Sequence, residues 1–146
     1  MEAGFEIIDH TADIGLYVWS RSCEELLEKA ALGTVSIIVD IHSIQCRNKR
    51  IVRVEAEQIE ELLFNWLREL LFLVEQEGMV FSKFQIKRDN FTHERDHKYV
   101  FYCSLGGEKI DSKRHNICRE IKAVTRHGFY VRQEAHVWEA RIYFDV

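Results

Sequence analysis

The stretch from Ile59 to Val74 constrains this chain more than any other. Ile59, Leu62, Leu63, Trp66, Leu67, Leu70, Leu71 and Val74 recur at the 3.6-residue period of an α-helix, while Glu60, Glu61, Arg68, Glu69 and Gln76 fall on the opposite side. Phe64 and Phe72 widen the apolar arc, so this helix needs cover on more than one side. Gly78 supplies a left-handed cap at its C-terminus. A second helix is predicted over 22–39, where Ser22 and Glu25 stand at capping-box spacing and Leu26, Leu27, Ala30, Ala31, Thr34, Val35 and Ile38 share a face. Gly33 weakens that helix by about 1 kcal/mol relative to Ala, unless close packing requires it.

Two amphipathic helices must bury their stripes, and most of the remaining pattern is that of strands. Strands are predicted at 14–19, 51–56, 79–88, 98–105, 121–125, 129–134 and 137–144. In the last, Trp138, Ala140, Ile142, Phe144 and Val146 fall on one face by period-2 alternation. The 79–88 and 98–105 strands form a hairpin across polar residues 89–97, and Gly106-Gly107 end the second strand. Arg47, Asn48, Lys49 and Arg50 sit in a polar stretch over 42–50, which reads as a solvated turn rather than a phosphate contact. Residues 108–120 are charged and irregular. The expected class is α+β, with the two helices packed on β-sheet. It is one domain over 1–146, in which a strand–helix–strand–strand unit (about 51–105) is inserted into an outer unit of the same plan.

Composition excludes several classes of function. The chain has 146 residues, 47% of them apolar, which suits one domain with a sizeable core. Its net charge of −4 gives no global basic field for nucleic acid. No uncharged apolar run reaches membrane-spanning length, and the first residues do not form a signal peptide. Cysteines 23, 46, 103 and 118 are too dispersed for a metal knuckle, so they are expected to be reduced thiols in a cytoplasmic protein.

Two polar strings invite chemistry. His93-Glu94-Arg95-Asp96-His97 has the spacing of a zinc-peptidase motif, which works only when a helix puts both histidines on one face. Here it falls between strand patterns, so a charged hairpin loop explains it and no zinc chemistry is expected. Asp9-His10-Thr11-Ala12-Asp13-Ile14-Gly15 concentrates two carboxylates, an imidazole and a hydroxyl ahead of a strand. It can be a polar turn whose Asp side chains bond local amides. Alternatively, Asp9 and Asp13 meet Asp145 and the carboxylate of Val146 at the other end of the chain, if the first and last strands are neighbours. Such a set suits hard cations, Ca²⁺ first and then Mg²⁺ or Mn²⁺, rather than zinc. Clustered carboxylates repel one another without such a cation.

The string DHTADIG, with GEKID (107–111), IKAVTRH (121–127) and a final Asp145-Val146, resembles the archease family from Phe5 to Val146. Archeases are small accessory proteins that activate the RNA ligase of tRNA splicing. The resemblance implies a non-enzymatic activator of a 3′-phosphate/5′-hydroxyl RNA ligase, promoting its guanylylation and multiple turnover. It further implies a divalent metal ion held by Asp13, Asp145 and Val146, with Asp9 as an open addition. Lys122 and His127, from the third string, are candidate contacts to phosphate or to the partner. Read without the family, they are an exposed strand lysine and a satisfied turn histidine. RNA would be met only indirectly, and no membrane is involved. Glu108, Lys109 and Asp111 receive no role. A metal-dependent hydrolase and an RNA-binding module are the alternatives. The first is opposed by the lack of a partnered nucleophile or base, and the second by the charge and the lack of an aromatic RNA-binding motif.

Overall fold

A computed structural model of the chain describes residues 2–9, 12–87, 92–93 (backbone) and 98–146. The element order is β1 (Gly4–Asp9), β2 (Asp13–Ser20), α1 (Cys23–Ile38), a 3₁₀ turn (Ile41–Ser43), β3 (Asn48–Ala56), α2 (Ile59–Glu77), β4 (Met79–Ile86), β5 (Thr92–His93), β6 (Tyr99–Lys109), β7 (Ala123–Glu134) and β8 (Val137–Asp145). One sheet has the order β1-β2-β8-β7, and the other β3-β6-β4 with β5 beside β6. The first is built from both ends of the chain and the second from its middle. All these pairings are antiparallel.

The start of α1 and the stop of α2 are as their sequences predict. Ser22 Oγ accepts the Glu25 N–H at 3.2 Å, which satisfies one of the free amides of the first turn of α1. Gly78 closes α2 at φ 62°, a left-handed conformation that costs glycine little. Each helix contacts strands of both sheets, α1 touching β2 and β4, and α2 touching β3 and β7. That is why α2 needs so wide an apolar arc. Its centre is Trp66, fully buried, with Nε1–H donated to Leu27 O of α1 at 2.9 Å and its ring edge-on to Phe101 at 5.3 Å. The buried ring alone contributes roughly 1.5–3 kcal/mol or more through the area it removes from water.

Several boundaries differ from the sequence reading. The apolar run Phe5–Ile8 is a strand, β1, paired along β2. Residues 48–50 belong to β3, and the two arginines of the 42–50 stretch meet acids: Arg50 pairs with Glu77 at 2.8 Å, and Arg47 with Glu108 at 3.7 Å. Gly106-Gly107 does not end β6, which runs on to Lys109. A Cβ on Gly107 would stand 2.0 Å from Val80 O, so the glycine lets β4 and β6 approach rather than turning the chain. The two late strands expected at 121–125 and 129–134 are one strand, β7, whose register shifts between Thr125 and Tyr130. The four cysteines are free thiols, as expected.

Candidate functional site

The rungs of the first sheet settle which polar residues meet. On β2, Ile14, Leu16 and Val18 are buried beneath the helices, so Asp13, Gly15, Tyr17 and Trp19 lie on the outer face. Asp13 pairs with Asp145 across the β2–β8 ladder, and Asp145 pairs with Ala123 of β7. Directly opposed residues share a face, with Cβ atoms about 4.5–5.5 Å apart. The two carboxylates therefore stand side by side on the outer face at one end of the sheet. Asp145 is exposed, whereas Asp13 Oδ1 is shielded from solvent. Val146 packs its side chain against the core, which fixes the main-chain oxygens next to Asp145.

The neighbouring rung pairs a glycine with an aromatic ring. Gly15 faces Tyr143, and the tyrosine ring lies down across it. A Cβ on Gly15 would sit 2.8 Å from Tyr143 Cε1, and one on Gly128 would sit 2.8 Å from Cε2. The glycine that ends DHTADIG thus makes room for a ring spanning β2, β8 and the bulge of β7. Beyond it come Tyr17, whose hydroxyl donates to Glu139 at 2.6 Å, and Arg141, 5.6 Å over the Tyr17 ring. The Glu139 carboxylate and then burial push the pKa of that hydroxyl up to about 12, so it stays protonated.

The other candidates are distributed differently. Asp9 pairs with Ile14, so strand alternation turns it to the face opposite Asp13. The Lys122 N–H donates to Asp145 O at 2.8 Å, which places its backbone beside the acidic rung. Its side chain, however, lines a hollow against α2 with Phe64 and Arg68. His127 sits in the β7 bulge, exposed, with its N–H on Thr125 Oγ1 at 3.2 Å, and does not enter the acidic rung. The string His93 to His97 lies outside the described residues, apart from the backbone of His93, which pairs with Tyr99. Among the described residues, no three His, Cys, Asp or Glu side chains gather where they could hold a metal ion.

One cluster had no assigned role in the sequence. Glu108, 3% exposed, accepts the Gln45 N–H at 2.7 Å, an ion-paired hydrogen bond from Arg114, and His115 Nε2 at 2.9 Å. His115 Nδ1 accepts the Asp111 N–H at 2.8 Å, so it is Nε2–H that donates to Glu108. Arg114 also donates to Ser43 O at 3.1 Å. Arg114 first, then the Gln45 amide and His115, hold the Glu108 carboxyl down to about 2 against its burial. The set ties residues 108–115 to the turn after α1. The family-like segment GEKID was its only trace in the sequence.

The fold defines a small α+β protein of two antiparallel sheets sharing two helices, with a paired-aspartate rung where β2 and β8 meet. The chain matches the archease protein family over residues 5–146 and belongs to that family. It is similar to protein archease of Pyrococcus furiosus, 34% identical over 143 residues, spanning 97% of this chain and 98% of that one. Protein archease of Methanosarcina mazei is 33% identical over 142 residues, spanning 97% and 95% of the two chains. The solution structure of Methanobacterium thermoautotrophicum protein 1598 superimposes with a TM-score of 0.84 at 34% identity, covering 98% of this chain and 99% of that one.

Proposed function

We propose that this protein is a non-enzymatic activator of a 3′-phosphate/5′-hydroxyl RNA ligase acting in tRNA splicing and RNA repair, and that a divalent cation at the acidic rung takes part. Family membership supports the ligase role, and the Asp13–Asp145 rung carries the metal reading. Two carboxylates held on one face repel each other, and a cation between them removes that cost. Asp13 and Asp145 supply two oxygen donors, and the carboxylate of Val146 would supply a third. An all-oxygen set of this kind suits Ca²⁺, with Mg²⁺ or Mn²⁺ as alternatives. When bound, the ion would supply positive charge at the tip of the sheet, where the ligase's own metal and phosphate chemistry could meet it. Asp9, turned to the other face, is left out of this ligand set. The working compartment is the cytoplasm.

The test is RNA ligation under multiple turnover, with and without this protein, read alongside the fraction of ligase carrying guanylate. The expected result is a rise in both. A ligase unaffected by stoichiometric protein defeats the reading. Hydrolysis of RNA or phosphoesters by the protein alone would replace it with an enzymatic one.

A further inference from the structure

Helix α2 and residues 117–126 form the two main walls of a groove made of two joined hollows. The first, about 280 Å³, is walled by Ile38, Leu71, Val74, Ile110, Ile117 and Ile121. The second, about 410 Å³, shares Leu71 and Glu75 with the first and runs past Phe64 and Phe72 to Lys122. Phe72 is 53% exposed and Ile117 45% exposed, so a large apolar side chain stands open to solvent on each wall. One wall continues into β7, an edge strand of its sheet. Edge strands present N–H and C=O groups that can pair with another chain.

The groove is also charged against the trend of the molecule. Arg68, Arg119, Lys122 and Arg126 line it against Glu75 and Glu120, on a chain of net charge −4. Arg126 is already engaged, bound to Glu61 and stacked 4.0 Å over the Phe64 ring. Arg68, Arg119 and Lys122 are in ion pairs with no described residue.

We propose that this groove seats an extended segment of a partner protein in which an aliphatic or aromatic side chain is followed by acidic residues. The apolar side chain fills the aliphatic hollow, the acids lie on Arg68 and Lys122, and the segment's backbone runs along the edge of β7, as in strand addition. RNA fits less well, because the apolar lining of the first hollow is aliphatic throughout, with no ring there on which a base could stack. The inference rests on the activator reading, since it takes the partner to be the ligase. It separates two jobs. The groove provides affinity, and the acidic rung, on the opposite face of the same sheet end, provides the effect on the ligase.

The experiment titrates purified ligase with four full-length proteins: wild type, Phe72→Asp/Ile117→Asp, Arg68→Glu and Asp13→Ala. Thermal unfolding and Ca²⁺ binding are measured on each. The groove variants change exposed side chains, and Arg68→Glu reverses a surface charge, so at least the latter keeps its fold. Both should bind the ligase about tenfold more weakly or worse, the scale of losing an interface anchor, with Ca²⁺ binding unchanged. Asp13→Ala should bind the ligase like wild type without stimulating it. Wild-type ligase affinity in both groove variants overturns the groove while leaving the activator reading standing. So does selective loss of binding to labelled single-stranded RNA, or of self-association in sedimentation, with ligase binding intact. A wild-type protein that neither binds nor stimulates the ligase overturns both readings.

Discussion

Asp13 stands directly across the ladder from Asp145, so residues from near both ends of the chain share one rung of the same sheet. Like charges placed opposite each other in a sheet are destabilising. The pair stands in a strand whose next outer position is a glycine under a tyrosine ring.

Asp13→Ala should leave the protein folded and remove its effect on the ligase. The side chain lies on the outer face, so its loss opens no core cavity, and the stability change should stay within about 1–2 kcal/mol. Relief of the repulsion with Asp145 could even raise the unfolding temperature without metal. Metal titration, thermal unfolding and multiple-turnover ligation on one preparation check this. Full stimulation by a folded Asp13→Ala protein would exclude the acidic rung from the mechanism.

Lys122→Ala should separate metal from partner. Its backbone bonds to Asp145, but its side chain belongs to the groove beside α2. Truncating it keeps that backbone bond, so Ca²⁺ affinity should be unchanged while ligase stimulation falls. A parallel loss of metal binding would place the side chain at the acidic rung instead.

Gly15→Ala should be costly in a way that depends on Tyr143. The added methyl would meet the ring at 2.8 Å, so the ring or the strand must move. Overpacking of this kind costs about 1–3 kcal/mol. Combining it with Tyr143→Ala should give a coupling energy of about 0.5–3 kcal/mol, measured by a double-mutant cycle in urea. Additive effects would show that ring and glycine do not restrain each other.

Glu108→Gln should alter the acid limb of stability. The folded carboxyl is held down to about 2 from an ordinary 4.5, so the ionised form is favoured by folding. That contribution is present above pH 4.5 and is lost as pH falls toward 2. The variant should be less stable at pH 7 and lose less on acidification through that window. Parallel urea midpoints from pH 7 to pH 2 for both proteins would rule this out.

The helices were legible from the sequence because their determinants are local. Ser22, the stripe through Trp66 and Gly78 each act within a few residues of themselves. The α+β class followed, since two amphipathic helices require a sheet. The family was legible from motifs that stand in the sequence whatever their structure. β1 was missed because Phe5–Ile8 is short and its burial comes from its neighbours, with Phe5 packed on the core and Ile7 43% exposed.

What the tertiary structure alone decided is which residues share a face. The sequence leaves open whether the two aspartates meet, and the β2–β8 register opposes them. The same period-2 pleat sends Asp9 to the other side of the sheet, and the side chain of Lys122 lines the groove against α2. Gly107 looked like a strand end because its close contact, Val80 O, lies far off in the sequence. Glu108 looked like one charge among many until Gln45, Arg114 and His115 closed around it. Local sequence specifies caps, periods and turns. Register and side-chain enclosure depend on segments distant in the chain, and they are set when the two sheets close over the helices.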